Sequence, residues 1–230
     1  MKKRIATIVL AAALLVSMFT IVPVSANSIT WDLDDLKIKT VGEGTVYING
    51  GLEIENVSVY QMNKQDVDEE EGSVTIGSAE AALWRAANAA ECDVTFPEAI
   101  WQGQLNFATE DQASDFADNG GGVAIGRWND SSSSFYVAGY APDEGLLFAV
   151  DTKVIFWMAV TEFTVPEGDW LAFAAANGGS SVTMDIKSGN CFVTYPFDDP
   201  AYPVPELPTI VLTSAGLLAL VGYVWIRRKD

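Results

Sequence analysis

The sequence predicts an all-β fold, a jelly-roll-like or sandwich domain followed by one C-terminal transmembrane helix. Short runs of alternating apolar and polar residues recur along the middle of the chain, glycine-rich turns separate them, and a long uncharged segment lies near the C-terminus. Short strands at nearly even spacing, with turn signals between them, are typical of sandwiches and barrels.

The first 26 residues have the three parts of a secretory signal peptide. Lys2, Lys3 and Arg4 are basic, an apolar run follows as far as Val22, and Val24–Ala26 offers small residues for cleavage. We therefore expect residues 1–26 to be removed on export. An uncleaved N-terminal membrane helix is the alternative.

Residues 27–196 are predicted to form the β-rich, acidic ectodomain. A hairpin is expected from residues 44–50 and 52–60, because both runs favour strands and Asn49-Gly50 favours a tight turn. Further strands are expected at 73–76, 92–96, 102–107, 123–128, 134–139, 154–163, 170–175 and 182–186. One stretch differs: residues 78–90 are rich in alanine, and Ser78 is a good N-cap, so local propensity there favours a helix. A strand that overrides this propensity is the alternative.

The C-terminal end predicts a membrane anchor. Residues 197–208 are proline-rich and are expected to form an extended spacer. Residues 209–226 carry no charge and are long enough to approach the ~30 Å that a transmembrane helix must cross. The basic tail 227–230 follows at once, which favours a cytoplasmic C-terminus.

The junction before this span carries a motif, Pro205-Glu206-Leu207-Pro208-Thr209. Together with the apolar span and Arg227-Arg228-Lys229, it resembles the PEF-CTERM sorting signals of archaeal surface proteins, with leucine where phenylalanine is usual. The resemblance implies that a membrane-embedded sorting enzyme, an archaeosortase, cuts the chain near this motif and transfers the new end to a lipid. It covers about 25 residues and implies nothing about the ectodomain; an uncleaved tail anchor is the alternative.

Charge excludes one class of partner and suggests another. Between the two terminal apolar segments there are 7 basic and 30 acidic residues, a net charge of −23. A nucleic-acid binder needs a basic face, so nucleic acid is excluded as a partner. Asp66, Asp68 and Glu70 place carboxylates at alternate positions, as calcium loops do, although the full calcium-loop pattern is missing. A solvated acidic loop is the alternative.

Export makes covalent modifications relevant. Cys92 and Cys191 are both in the ectodomain, where an even pair of cysteines is expected to form a disulfide; two free thiols are the alternative. Asn56 and Asn129 each begin a sequon for N-glycosylation. Asn129 precedes a run of four serines and is expected in an exposed loop.

Catalytic and ligand-binding signals are sparse. The chain has no histidine, so Ser-His-Asp and Cys-His arrangements are impossible, and we predict that it is not an enzyme. Paired carboxylates of a glycosidase remain a weaker hypothesis. Among the tryptophans, Trp128 lies beside the serine-rich loop and is the predicted ligand contact, whereas Trp157 is expected in the core.

Together these features predict a structural protein of the cell surface or envelope, held at the extracellular face of the membrane through its helix or a lipid. A carbohydrate-binding or adhesive surface module is the alternative. The expected partners are the membrane, the sorting enzyme and glycans or other envelope proteins.

Overall fold

The computed structural model describes residues 28–41, 46–48, 52–54, 57–64, 72–143, 145–186, 189–197 and 200. The predicted signal peptide, the sorting motif Pro205–Thr209 and the predicted span 209–226 lie outside this part. Among the described residues, no helix is long and apolar enough to span a membrane.

The described chain is mostly β-strand. The first eight strands are β1 (Ile29–Val41), β2 (Val46–Ile48), β3 (Leu52–Ile54), β4 (Val57–Asn63), β5 (Gly72–Ile76), β6 (Glu80–Ala86), β7 (Val94–Phe96) and β8 (Ala99–Asn106). A helix, α1 (Glu110–Asp118), follows. The remaining strands are β9 (Gly122–Asn129), β10 (Ser134–Ala141), β11 (Gly145–Val150), β12 (Lys153–Val160), β13 (Phe163–Val165), β14 (Trp170–Asn177), β15 (Val182–Ile186) and β16 (Phe192–Tyr195).

Twelve of these strands form one large sheet in the order β11-β12-β8-β16-β1-β4-β6-β14-β9-β10-β2-β3. Two small sheets, β13-β7 and β15-β5, accompany it. Most neighbours are antiparallel, and β4–β6 and β10–β2 are parallel. The predicted hairpin is present as β2 and β3, with Val46 opposite Ile54. The second run, predicted as one strand over 52–60, is divided between β3 and β4, and β4 pairs with β1 and β6 instead. The all-β prediction is therefore confirmed at the level of a mostly β chain with a large sheet.

The large sheet folds back on itself around one core. Phe156 on β12 stacks on Phe173 on β14, with ring centroids 5.5 Å apart, although five strands lie between β12 and β14 in the sheet. Trp84 on β6 lies 6.0 Å from Phe173, and its indole N–H donates to the Asp34 carbonyl at 2.9 Å. The sheet thus has a first half, β11-β12-β8-β16-β1, which faces a second half, β4-β6-β14-β9-β10. Burial of these large aromatic surfaces is the main stabilising term.

The second half of the sheet is also buried on its other face. A separate apolar cluster there contains Val57, Val59, Ala81, Leu83, Ala124, Trp128, Phe135 and Ala172. In β6 the odd-numbered residues Ala81 and Leu83 belong to this cluster, while Ala82 and Trp84 belong to the main core. Side chains alternate across a strand, so both faces of the second half are apolar.

The helix that local propensity favours over residues 78–90 is not formed, and the alternative, a strand, is found: this segment contains β6. Ser78 and Ala79 form a turn, and Glu80–Ala86 pairs with β4 on one side and β14 on the other. Alanine favours a helix by less than ~1 kcal/mol over most residues, and burial of Leu83 and Trp84 on opposite faces outweighs that preference.

The chain enters and leaves the described fold at neighbouring points. Ile29, at the start of β1, is paired with Tyr195, at the end of β16. Directly opposite residues of antiparallel strands lie ~4.5–5.5 Å apart between their Cα atoms. The segments before β1 and after β16 therefore leave from the same place.

Candidate functional site

A cluster of exposed apolar side chains lies at the edge of the first half of the sheet. Four of its members are Ile100, Leu146, Phe148 and Val150, with 64%, 63%, 37% and 44% of their surface exposed. The fifth is half-buried Trp157. We call these five residues the edge patch. A soluble surface rarely leaves such large apolar side chains together unless they contact another molecule.

Strand register places the edge patch on one face. Leu146 is opposite Trp157, Phe148 is opposite Ile155, and Gln102 of β8 is opposite Trp157 on its other side. Opposite residues point to the same side of a sheet. The partners Phe156 and Met158, one residue away along β12, are fully buried in the core. The edge patch therefore covers the outside of the three strands whose inside forms the core.

Two aromatic rings and an amide give the patch its specific chemistry. The ring centroids of Phe148 and Trp157 lie 5.4 Å apart with a tilt of 33°. The Trp157 indole N–H donates to the Gln102 side-chain oxygen at 3.2 Å. Aromatic faces bind apolar surface, and amide groups bind hydroxyls or backbone groups, so this arrangement suits a sugar or a protein surface.

Charge is almost absent from this part of an acidic protein. Strands β8, β11 and β12 contain one charged residue, Lys153. The protein as a whole carries a net charge of −18. An uncharged region on a strongly negative molecule is where another negatively charged macromolecule meets least repulsion.

β11 also offers backbone groups. It is the terminal strand of the large sheet, and within the described chain its strand partner is β12. Its six residues pair with β12 in unbroken register, without the bulge found between β9 and β10. Proteins usually protect an edge with charges, proline or a bulge, and β11 has none of these within its length.

The Arg127 network occupies another end of the sheet. Asp169, 5% exposed, accepts hydrogen bonds from the Arg127 guanidinium and from the Asn129 amide, the latter at 2.6 Å. The guanidinium also lies 3.9 Å from the Tyr136 ring centroid. These contacts join β9, β10 and the start of β14, so we assign the network to stabilising this junction.

Asn129, the predicted glycosylation site, is half-buried within this network. Its Oδ1 accepts from the Ser131 hydroxyl at 2.7 Å and from the Ser132 backbone N–H at 3.0 Å. Its Nδ2 donates to Asp169, so a glycan on Nδ2 would have to share that atom with this hydrogen bond. Glycosylation at Asn129 stays a prediction. Asn56 lies outside the described residues.

The prediction that Trp128 contacts a ligand is wrong. Trp128 is fully buried in the second apolar cluster, and its indole N–H donates to Asp130 at 3.2 Å. The sequence correctly placed it beside an exposed serine turn, but its ring is packed into the second apolar cluster, and the indole N–H alone contacts the turn, at Asp130. Trp157, expected in the core, is the tryptophan on the outer face. The buried position expected for Trp157 is therefore that of Trp128, and the surface position expected for Trp128 is that of Trp157.

Arg85 lies beside Trp128 and resembles a binding residue without offering an accessible site. Its guanidinium carbon is 4.4 Å from the Trp170 ring centroid, and its Nη1 is 3.8 Å from the Asp130 carboxylate. Nε and Nη1 have no hydrogen-bond partner, and both are buried. Because no ligand can reach buried atoms directly, we assign Arg85 to holding the 130–133 turn against Trp170.

The predicted disulfide between Cys92 and Cys191 is not formed. Cys92 is an exposed free thiol, and Cys191 is a buried one. The Cys191 sulfur accepts the Asn106 backbone N–H at 3.1 Å, and burial raises the pKa of this thiol to about 12. The two thiols occupy different surroundings, so the even cysteine count was a poor guide here.

Metal-ligating groups are few in the part of the chain that the structure describes. No group of three or more acidic or cysteine side chains there could hold a metal ion. Asp34 is buried, and burial together with the neighbouring Asp34 carboxyl raises the pKa of Asp35. The predicted calcium ligands Asp66, Asp68 and Glu70 lie outside the described residues, and calcium binding there stays a prediction.

Sequence reasoning missed the edge patch and the helix α1. Alternation in residues 145–150 is weak, because all five residues after Gly145 are apolar. The helix did have a signal: Thr109 accepts the Gln112 backbone N–H at 3.3 Å, and Thr-x-x-Gln is the capping-box spacing. Ala113 and Phe116 then bury one face three residues apart.

No known family model matches the chain, and no curated protein matches it. Two solved structures of a CocE/NonD family hydrolase from Staphylococcus aureus are similar to the fold. Their TM-scores are 0.47 and 0.46, each at 8% sequence identity, and they cover 76% and 75% of this chain. The chain spans 37% and 36% of the hydrolase chains.

This comparison contradicts the prediction that the chain is not an enzyme, since the similar structures are described as hydrolases. A likeness at this identity and TM-score carries no argument for a reaction, and the hydrolase activity belongs to a protein of greater length. No catalytic residue is assigned.

Proposed function

We propose that this chain is an exported protein of the cell surface or envelope, an acidic β-domain anchored at the extracellular face of the membrane. The observation that carries the proposal is the C-terminal order of Pro205–Thr209, an uncharged span over 209–226 and a basic tail. Together with the signal-peptide pattern of residues 1–26, it supports export followed by sorting and attachment to a lipid.

The fold is compatible with this attachment. Because Ile29 and Tyr195 are paired, the segment after the signal peptide and the segment toward the membrane leave the sheet together. A single point of attachment would then carry the domain, with residues 197–208 as the spacer. We further propose that the folded-over sheet is a jelly-roll-like sandwich, which the face-to-face packing of Phe156 and Phe173 supports.

The test is an intact mass, with terminal peptide mapping, of the protein from its native membranes. A chain that begins at Asn27 and ends between Pro205 and Thr209, with added mass of a lipid, would support the proposal. Glu206→Ala should leave the tail uncut, whereas Glu162→Ala, at an exposed position of the β-domain, should be processed normally. A native chain that still ends at Asp230 would contradict sorting and leave a plain tail anchor.

A carbohydrate-binding role is the second candidate, and the Trp157–Gln102 pair favours it. A half-buried indole beside a side-chain amide can stack on a sugar ring and bind its hydroxyls. On a glycan array, Trp157→Ala should abolish binding, while Ile100→Ala, which removes apolar surface without a ring or amide, should retain it. No binding to any glycan by the unmodified chain would contradict this candidate.

A further inference from the structure

We propose that two copies of this chain associate through β11, in an antiparallel pairing that continues the large sheet across a two-fold axis. The inference does not depend on sorting or lipid attachment. It rests on the edge of β11, which has no second strand partner in the described chain, and on the apolar residues that β11 displays.

The backbone of β11 can pair with a second strand. Successive residues of a strand direct their backbone N–H and C=O groups alternately toward its two sides. Within the described chain, β11 has a strand partner on the β12 side only. Strand pairing with another molecule satisfies the groups on the other side. A sugar or an apolar ligand resting on the face of the sheet would leave them unpaired.

The side chains fit a copy of the same strand. In a two-fold antiparallel pairing, directly opposite residues must point to the same face of the sheet. One residue must therefore lie opposite its own copy, with the two-fold axis midway between them. An axis at Phe148 places Phe148 opposite its copy and Leu146 opposite Val150 of the second chain. All three side chains then lie on the exposed face, beside Trp157.

The opposite face is matched as well. Leu147 and Ala149 are half-buried against the main core, and the same axis places each opposite the other in the second copy. Residues on both faces therefore lose exposed apolar surface on pairing, which drives association. β11 itself carries no charge, and Asp143 and Asp151 lie beyond its two ends, so the pairing of residues 146–150 places no two carboxylates directly opposite each other.

The register gives a sharp cross-linking test. The full chain is prepared in detergent with Cys92→Ser, because Cys92 is the exposed thiol and Cys191 is buried. Phe148→Cys should form an intermolecular disulfide on mild oxidation, since paired Cα atoms lie ~4.5–5.5 Å apart, within the range of a disulfide. The Leu146→Cys/Val150→Cys double variant should also cross-link.

Two single variants are the matched controls. With the axis at Phe148, residue 146 lies four positions from its own copy along the strand, about 14 Å at ~3.4 Å per residue. This exceeds the ~7 Å limit between Cα atoms of a disulfide, so Leu146→Cys alone and Val150→Cys alone should stay monomeric on a non-reducing gel. Equal cross-linking by all variants would overturn the proposed register.

Association without cross-links is measured by sedimentation. Phe148→Asp should weaken dimerisation at least ~10-fold, because it places two carboxylates opposite each other at the centre of the interface. Ile100→Asp adds the same charge on the same face, two strands from the edge, and should leave the dimer intact. Equal dissociation by Ile100→Asp would indicate face-to-face stacking, and a monomeric unmodified chain at all concentrations would overturn the proposal.

Discussion

The exchanged roles of Trp128 and Trp157 give the most direct test of the described packing. Trp128 is fully buried, and truncation to alanine would empty its place between Phe135 and the β6–β14 surface. A tryptophan buries ~150–250 Å², worth ~4–6 kcal/mol at ~25 cal/mol per Å². Measured Trp→Ala costs of ~3–5 kcal/mol agree, so we expect Trp128→Ala to destabilise the fold by about 4 kcal/mol.

Trp157→Ala should cost less than half as much, because Trp157 is half-buried and its indole hydrogen bond to Gln102 is exposed. The assay is thermal unfolding of the full chain, followed by far-UV circular dichroism at one fixed protein concentration, since association would raise the melting temperature. At ~2–4 °C per kcal/mol for a chain of this size, Trp128→Ala should lower the melting temperature by about 8–16 °C.

The comparison between the two variants decides the outcome. If Trp157→Ala destabilised the protein as much as Trp128→Ala, the description of a buried outer face for β9 and an accessible outer face for β12 would be wrong. A loss below about 1 kcal/mol for Trp128→Ala would likewise refute its burial. Phe135→Ala, at another fully buried position of the same cluster, is the positive control.

Three further predictions follow from buried polar groups and from the acidic run. Asp169→Ala should destabilise the fold by ~2–3 kcal/mol in thermal melts, because Arg127 and Asn129 both lose their carboxylate partner. Asp118→Ala, at an exposed position at the end of α1, should cost less than ~1 kcal/mol, and equal losses would refute this prediction. Burial raises the pKa of the Cys191 thiol from an ordinary value of 9.0 to about 12, so the thiol loses its proton at lower pH in the unfolded chain than in the folded chain. The buried neutral thiol therefore contributes fully to the free energy of unfolding below pH 9, and this contribution is lost as pH rises toward 12. Alkylation at pH 8 should therefore label Cys92 in the folded chain and Cys191 only after unfolding, and rapid labelling of both would contradict the described burial. If Asp66 and Asp68 bind calcium, millimolar calcium should raise the melting temperature beyond a monovalent control of equal ionic strength, and removal by a chelator should reverse the rise.

Local sequence patterns predicted many of the strands. Period-two alternation and glycine turns correctly placed β5, β9, β10, β14 and β15, because these patterns depend on neighbouring residues of one strand. The same reasoning failed for β6, whose alanines favour a helix when the segment is considered alone. Its strand state depends on β4 and β14, which are distant in sequence.

The candidate site could not be predicted from the sequence for a related reason. Alternation shows that the side chains of β9 and β12 divide between two faces, but it does not show which face another part of the chain covers. The outer face of the second half is buried in a second cluster, which hides Trp128, while the outer face of the first half leaves Phe148 and Trp157 accessible. Cys92 and Cys191 are a similar case, because an even count of cysteines carries no information on the distance between them.

The sequence by itself therefore determined the β-rich class, the strongly acidic charge and the order of the terminal segments, since these follow from composition and local periodicity. Only the tertiary structure decided that Ile29 and Tyr195 are neighbours, that β11 is the edge of the sheet and that its apolar residues remain exposed. The physical reason is that burial belongs to pairs of distant segments, and the way a sheet folds back on itself is set by the packing of its whole core.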